Sequence, residues 1–182
     1  YLKEKYIASE FIFASPGSEY RKIASSGSYS SEKIKEVMES GLLLPDFLTI
    51  SLVTSSIANN ITKDSVLIAD GYPRTINQSI ALEQTLDFYG RNGAHVIYIE
   101  VSRDEALKRM KLRSRPDDTD EAISKRFDEY VNNVLPSMDY FKDKPGYTIY
   151  KINGEQSIEE VHQEIIKSRS EEHTSELQSL AC

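Results

Sequence analysis

A chain of 182 residues with 39% apolar and 28% charged side chains has the make-up of one soluble folded domain, able to bury roughly 70% of the surface its unfolded form exposes. The net charge of −7 argues against a nucleic-acid-binding surface, which needs clustered Lys and Arg, but it is compatible with a local Arg cluster gripping a phosphate. The lone cysteine, Cys182, excludes a disulfide framework, and no apolar run reaches the roughly 20 residues of a membrane span, so a cytoplasmic protein is expected.

In chain order, Tyr1 to Tyr6 (YLKEKY) reads as the middle of a helix without an N-cap, and Glu10 to Ala14 (EFIFA) as a short buried strand. Ser31 to Ser40 (SEKIKEVMES) sets Ile34, Val37 and Met38 at the i, i+3, i+4 spacing of a helix face, with Gly41 as its C-cap. Pro45-Asp46 opens a helix running through Ile50, Leu52, Val53 and Ile57. Ser65 to Ala69 (SVLIA) and His95 to Val101 (HVIYIEV) are predicted as buried strands, with a helix over Asn77 to Gly90 between them. A helix over Asp104 to Lys111, N-capped by Ser102, precedes a longer one over Thr119 to Asp139. A strand over Tyr147 to Ile152 and a helix over Ser157 to Ser168 follow. This alternation predicts an α/β fold: a parallel sheet flanked by helices on both faces.

The sharpest local signal is Asp70 to Thr75, DGYPRT, directly after SVLIA. Open α/β sheets bind ligands at the carboxyl ends of their strands. Gly71 permits close backbone approach, Pro73 fixes the turn, Asp70 can hold a metal-bound water, and Arg74 can fork onto a phosphate. A plain turn carrying a surface Arg has the same composition. The second signal is Arg109 to Arg126, RMKLRSRPDDTDEAISKR, which gathers Arg109, Arg113, Arg115 and Arg126 around Asp117-Asp118. Arginines this dense repel one another unless an anion lies between them, as a transferring phosphoryl group would, although a solvated helix with i, i+4 charge pairs is the bland alternative. His95 and His162 lack metal-ligand company and take no role.

DGYPRT resembles the DG[FY]PRT motif of the adenylate kinase family, and the resemblance runs from Tyr1 to about Lys167. It implies a P-loop kinase type of fold and transfer of the ATP γ-phosphoryl group to AMP, with Mg²⁺ held through water by Asp70. By the same resemblance Arg74 grips the monophosphate and Gln78 reads the adenine edge. Thr75 and Gln78 favour AMP, because pyrimidine-directed relatives carry Asn after PR and lack this Gln. A UMP/CMP-type kinase and a non-catalytic nucleotide-binding relative are the alternatives. Ser15 to Arg21 (SPGSEYR) aligns with the family's STGDLLR, which assigns Arg21 to the AMP phosphate; Pro16 and Ser18 depart from that pattern. Gly41 to Asp46 (GLLLPD) matches the segment lining the adenine pocket. The implied arm covers about residues 15–46 and the short lid about 111–119.

In the lid region the resemblance stacks Arg109 on the ATP base and sets Arg113, Arg115 and Arg126 on phosphates, with Asp117 and Asp118 hinging the lid. Only Ser114 separates Arg113 from Arg115, which leaves no room for a zinc-ribbon lid, so no structural zinc is expected. Asn153 to Ser157 (NGEQS), including Gln156, resembles the loop touching the ATP adenine, and equally reads as an ordinary strand-to-helix turn. ATP and AMP are the expected partners of a monomer.

No G-x-x-x-x-G-K-[ST] occurs in the chain. By resemblance that loop and its strand belong just upstream of Tyr1, so the kinase domain, residues 1–168, is expected to be truncated and inactive as given. Arg169 to Ser179 (RSEEHTSELQS) looks like the in-frame translation of a sequencing adapter, which makes residues 169–182 an expected non-native tail.

Overall fold

The computed structural model describes residues 10–113, 115 and 118–179, and the side chains of 10–112, 115 and 118–168. The helix expected over Tyr1 to Tyr6, the side chain of Arg113, and Asp117 lie outside this description. In chain order the elements are β1 (Phe11–Ala14), α1 (Pro16–Ala24), α2 (Tyr29–Ser40), α3 (Asp46–Asn60), β2 (Val66–Ala69), α4 (Ile76–Phe88), β3 (Ala94–Glu100), α5 (Arg103–Arg113), α6 (Asp120–Glu129), a π-helical turn (Tyr130–Val134), α7 (Leu135–Asp139), β4 (Tyr147–Asn153) and α8 (Ile158–Ser179). They form two compact units. The first holds the described residues up to Gly90 and Arg115–Tyr140; the second holds Arg91 to 113 and the residues from Phe141 onward.

In the first unit β1 and β2 pair in parallel, Phe11 opposite Val66 and Ala14 opposite Ala69. Ile12 and Ala14 are buried while Phe13 is 56% exposed, the two-residue alternation of a strand with one covered face. Helix α3 packs against β1 and against α4. The Ser15 to Arg21 segment, read from sequence only as a binding arm, contributes most of helix α1. Pro16 suits its first turn because the N–H that proline lacks would have no helical partner there. Tyr20, Ile34 and Leu44 form the buried centre of the α1–α2–α3 layer, with Ile23, Val37, Met38 and Leu48 against it. The Tyr20 and Thr49 hydroxyls meet at 2.6 Å within this layer, which satisfies both buried groups. Burial raises the Tyr20 pKa, so the hydroxyl stays protonated near neutral pH.

Helix α2 begins two residues before the expected Ser31, because Ser28 caps it by accepting the Ser31 N–H at 3.2 Å. It ends at Gly41, whose φ of 79° is the left-handed C-cap conformation. The single helix expected over Thr119 to Asp139 is divided by the π-helical turn. Pro136 has no N–H for the Asn132 carbonyl and its ring crowds that group. The chain widens by one residue before it, and the Leu135 N–H bonds to Tyr130 O instead. The Ser79 and Ser137 hydroxyls, fully buried and 2.8 Å apart, tie α4 to α7.

In the second unit β3 and β4 pair in parallel from Ala94 opposite Tyr147 to Glu100 opposite Asn153, with α8 packed on β4. Ile152 and Phe141 are buried, and the Phe141 and Tyr147 rings stack with centroids 4.8 Å apart. Ser157 caps α8 reciprocally. Its hydroxyl accepts the Glu160 N–H at 3.3 Å, and the Glu160 carboxylate accepts the Ser157 N–H at 3.0 Å. The α8 backbone stays helical to Ser179, past the expected end at Ser168. None of the described helices is long and apolar enough to cross a membrane.

The strands are all parallel and alternate with helices, as the α/β reading requires, but the sequence predicts one sheet and strands buried on both faces. Two separate parallel pairs are observed, and in β3 Ile97 and Ile99 are 40% and 46% exposed. Each strand has one edge without a ladder partner among the described residues.

Gly41 couples the end of α2 to the start of α6. A Cβ there would stand 2.3 Å from the Ala122 carbonyl oxygen, and the residue already holds a positive φ. Gly41→Ala is expected to lower stability toward urea, followed by far-UV circular dichroism, by about 2–4 kcal/mol, combining backbone strain and overpacking. Gly27→Ala shares the positive φ with nothing within 4 Å, so its loss stays near about 1 kcal/mol; equal losses would contradict the close-packing account.

Candidate active site

The loop leaving β2 carries Asp70, Gly71 and Arg74. The Asp70 N–H bonds to the Ala14 carbonyl at 2.9 Å, which extends the β1–β2 ladder by one rung and fixes the start of the loop. The Ser15 hydroxyl donates to the exposed Asp70 carboxylate at 3.3 Å. Gly71 has φ 65°, and a Cβ on it would lie 2.8 Å from Arg74 Nη2. The absent side chain is what lets Arg74 fold back, and its Nε donates to the Gly71 carbonyl at 2.9 Å. That bond uses the one N–H on the inner edge of the guanidinium and leaves both terminal nitrogens for a ligand.

Arg74 is solvent-exposed at residue level, yet its guanidinium lies near charged groups from distant parts of the chain. Burial lowers its pKa, the Asp70 carboxylate opposes that shift, and the positive charge of Arg126 reinforces it. Arg126, 52 positions further along the chain, is thus among the charges felt by Arg74. Arg126 lies in the last turn of α6 and is held by Asp118, whose side chain is only 2% exposed. Helix α6 is N-capped by Thr119, whose hydroxyl accepts the Ala122 N–H at 3.2 Å.

Gln78 is in the first turn of α4 and is 2% exposed. Its Oε1 accepts the Arg74 N–H at 2.9 Å and its Nε2 donates to Asp46 Oδ1 at 2.9 Å. One N–H and one lone pair of the amide remain beyond these two bonds. Asp46, the first residue of α3, also accepts from the Thr75 hydroxyl at 2.8 Å and from Asn77 Nδ2 at 2.9 Å. Burial pushes its carboxyl up, but the donors from Asn77, Thr75 and Gln78 together outweigh burial and hold it below the ordinary carboxylate range. Tyr72 is buried, donates to the Gln78 carbonyl at 3.2 Å, and has its pKa raised by burial.

The first unit thus brings together Asp70, Gly71, Arg74, Gln78 and Arg126. Arg21 is exposed in the last turn of α1, with Nη1 3.6 Å from where a Gly17 Cβ would be. Arg115 is exposed, and its carbonyl accepts the Asp118 N–H at 3.0 Å. The second unit carries the remaining expected site residues. Arg109 Nε donates to Glu105 at 2.7 Å on α5, and Arg113 ends that helix. Gln156 donates to the Asn153 carbonyl at 3.1 Å and also to Glu164. Beside it a cavity of about 400 Å³ is lined by Glu100, Ser102, Lys151, Asn153, Glu155 and Glu164, a lining too acidic for phosphate. Asp46 ends the GLLLPD segment expected to line the adenine pocket, but its link to the Arg74 loop was not expected. Its position after Pro45 predicts a helix start, and only the fold shows that Thr75, Asn77 and Gln78, 29 to 32 residues away, all donate to it.

The pairing of Arg126 with a buried carboxylate makes a sharp stability test. Removing one member of a buried ion pair leaves the other uncompensated, so Asp118→Ala is expected to cost about 3–5 kcal/mol in urea unfolding. Glu121→Ala breaks only the exposed Lys125 pair one turn away and should stay within about 0.5 kcal/mol of the parent. A loss below 1 kcal/mol for Asp118→Ala would show that the pair does not hold Arg126.

Comparison with known proteins agrees with this geometry. The sequence model of the family described as "Adenylate kinase" matches residues 2–145. The chain is 31% identical to the adenylate kinase of Ureaplasma urealyticum serovar 10, over 83% of this chain and 83% of that protein. It is 35% identical to adenylate kinase 1 of a Nostoc species, over 73% of this chain and 71% of that protein. With the adenylate kinase of Dehalococcoides mccartyi it shares 30% identity, over 84% and 83%. A loop that lays an arginine over a glycine at the end of a parallel strand and these matches along most of the chain lead to one conclusion: the protein belongs to the adenylate kinase family.

Proposed function

We propose that the site serves an ATP:AMP phosphotransferase, which moves the γ-phosphoryl group of ATP in line onto the AMP phosphate. What supports this reading is the loop after β2, where Arg74 folds back over Gly71 beside Asp70 with Arg126 among the charges around it. Two cations held near each other without an anion repel, and a phosphoryl group passing between donor and acceptor is an anion of the right size and charge. Arg21 and Arg74, with the bare backbone of Gly71, hold the AMP phosphate. Arg113, Arg115 and Arg126 spread the charge that develops as the phosphoryl group transfers. Arg109 and the Gln156 loop serve the ATP base. Gln78 reads the adenine edge with the N–H and lone pair not used by Asp46 and Arg74, a donor–acceptor pair that matches adenine better than a pyrimidine.

Mg²⁺ accompanies ATP and asks little of the protein, since it keeps several waters and takes most of its other ligands from phosphate. Asp70, exposed at the end of β2, fits that demand through a bound water, whereas no described residues gather into a group of three or more His, Cys, Asp or Glu able to cage an ion. When bound with ATP, the ion neutralises charge on the β- and γ-phosphates. The protein works in the cytoplasm as a monomer.

In such a site a phosphate-loop cradle of backbone N–H groups and its lysine would hold the ATP phosphates. The test joins a strand and a G-x-x-x-x-G-K-[ST] loop ahead of Tyr1 and measures ADP formation. The joined protein is expected to turn over AMP in preference to CMP and UMP, and Arg126→Ala to lower kcat by about 10²–10³-fold. Equal turnover of CMP and AMP would favour a pyrimidine-directed kinase, and nucleotide binding without turnover would favour a non-catalytic relative.

A further inference from the structure

The Asp46 carboxylate ends the segment expected to line the adenine pocket, and it also organises the loop that carries Arg74. Its Oδ1 accepts from Thr75 Oγ1 at 2.8 Å and from Gln78 Nε2 at 2.9 Å, and its Oδ2 accepts from Asn77 Nδ2 at 2.9 Å. The same Gln78 amide accepts the Arg74 N–H at 2.9 Å, and the same Thr75 hydroxyl accepts the Gln78 N–H at 3.2 Å. A continuous hydrogen-bonded path therefore runs from the first residue of α3 through a buried amide to the main chain of the arginine. We propose that Asp46 is a positioning residue for the acceptor phosphate, fixing Arg74 through Gln78. The proposal rests on the reading of Arg74 as a phosphate-gripping group.

The chemistry of the path explains why a carboxylate is needed at its head. All three side-chain partners of Asp46 are donors, and only an ionised carboxylate offers acceptor sites on both oxygens and no N–H of its own. An Asn would turn an NH₂ toward one of these donors and release its partner. Gln78 would then be free to flip, which would present an NH₂ group to the Arg74 N–H and break the bond holding the loop. The Arg74 guanidinium is tied to the rest of the protein by its Nε bond to Gly71 within the same loop, so a loose loop carries the guanidinium with it. Because Asp46 opens the helix that follows the α1–α2 arm, the path also makes the arm and the phosphate grip share one anchor.

The test uses the full chain and ribose 5-phosphate, a ligand with no base, so that base reading by Gln78 cannot contribute. Binding is followed by NMR titration. Arg74→Ala should abolish binding, which checks the underlying reading. Asp46→Asn should weaken binding about tenfold, the scale of one charge-assisted hydrogen bond. Gln78→Leu, which keeps the apolar volume, should weaken it by a similar factor. The double variant should be no more than about twofold worse than the weaker single variant, because both act on one path. Asp46→Glu should recover part of the affinity, which a merely disrupted fold would not show. Parent-like affinity in Asp46→Asn, or losses that multiply in the double variant, would overturn the proposal. Should Asp46→Asn fail to fold, Gln78→Leu carries the same test. Should the parent bind no ribose 5-phosphate, or Arg74→Ala leave its binding unchanged, the phosphate reading falls. Hydrogen exchange of the Arg74 amide then decides the positioning claim: faster exchange in Asp46→Asn supports it and unchanged protection overturns it.

Discussion

Two like charges kept within reach of one another organise the site of this protein. Arg74 and Arg126 come from separate stretches of chain, and nothing about two guanidinium groups favours their approach. The fold supplies what holds each of them. Arg126 is clasped by the nearly inaccessible Asp118 carboxylate, and Arg74 is bent over a glycine beside Asp70. Much of the first unit can be understood as the support for that arrangement. The Ser79–Ser137 contact ties α4 to α7, and Gly41 lets α2 approach the first turn of α6. Thr75 and Thr119 cap the helices that follow the Arg74 loop and carry Arg126.

The regular elements were legible wherever the local chemistry acts alone. The spacing of Ile34, Val37 and Met38, the Pro45-Asp46 start and the Gly41 stop each have a cause within a few residues, and the structure reproduces them to within two residues. Where causes act at longer range the sequence was less informative. Helix α1 was read from the sequence only as a binding arm, and its docking on Ile34 and Leu44 is visible only in the fold. The helix expected without interruption over Thr119 to Asp139 widens ahead of Pro136, a cause that was available in the sequence. The expected burial of SVLIA and HVIYIEV depends on strands alongside them, and composition cannot say whether those neighbours are present.

The same division applies to the candidate site. DGYPRT announced Asp70, Gly71 and Arg74 because backbone freedom, a metal-friendly carboxylate and a phosphate fork are packed into one short segment. Gln78 was legible as an amide suited to a base, but its two bonds to Arg74 and Asp46 were not. Asp46 was marked only as a helix start and as the end of the GLLLPD segment. Its importance lies in three donors that arrive from the other side of a strand, and such convergence is a property of topology.

A double-mutant cycle of Arg74→Ala and Arg126→Ala, read by AMP affinity of the full chain, tests most directly whether the two arginines serve one ligand. If they face a common phosphate position, each single change weakens AMP and the two effects are coupled, departing from additivity by about 0.5–3 kcal/mol. If the losses simply add, or if Arg126→Ala leaves AMP affinity unchanged, the two side chains do not share a site and the account is wrong.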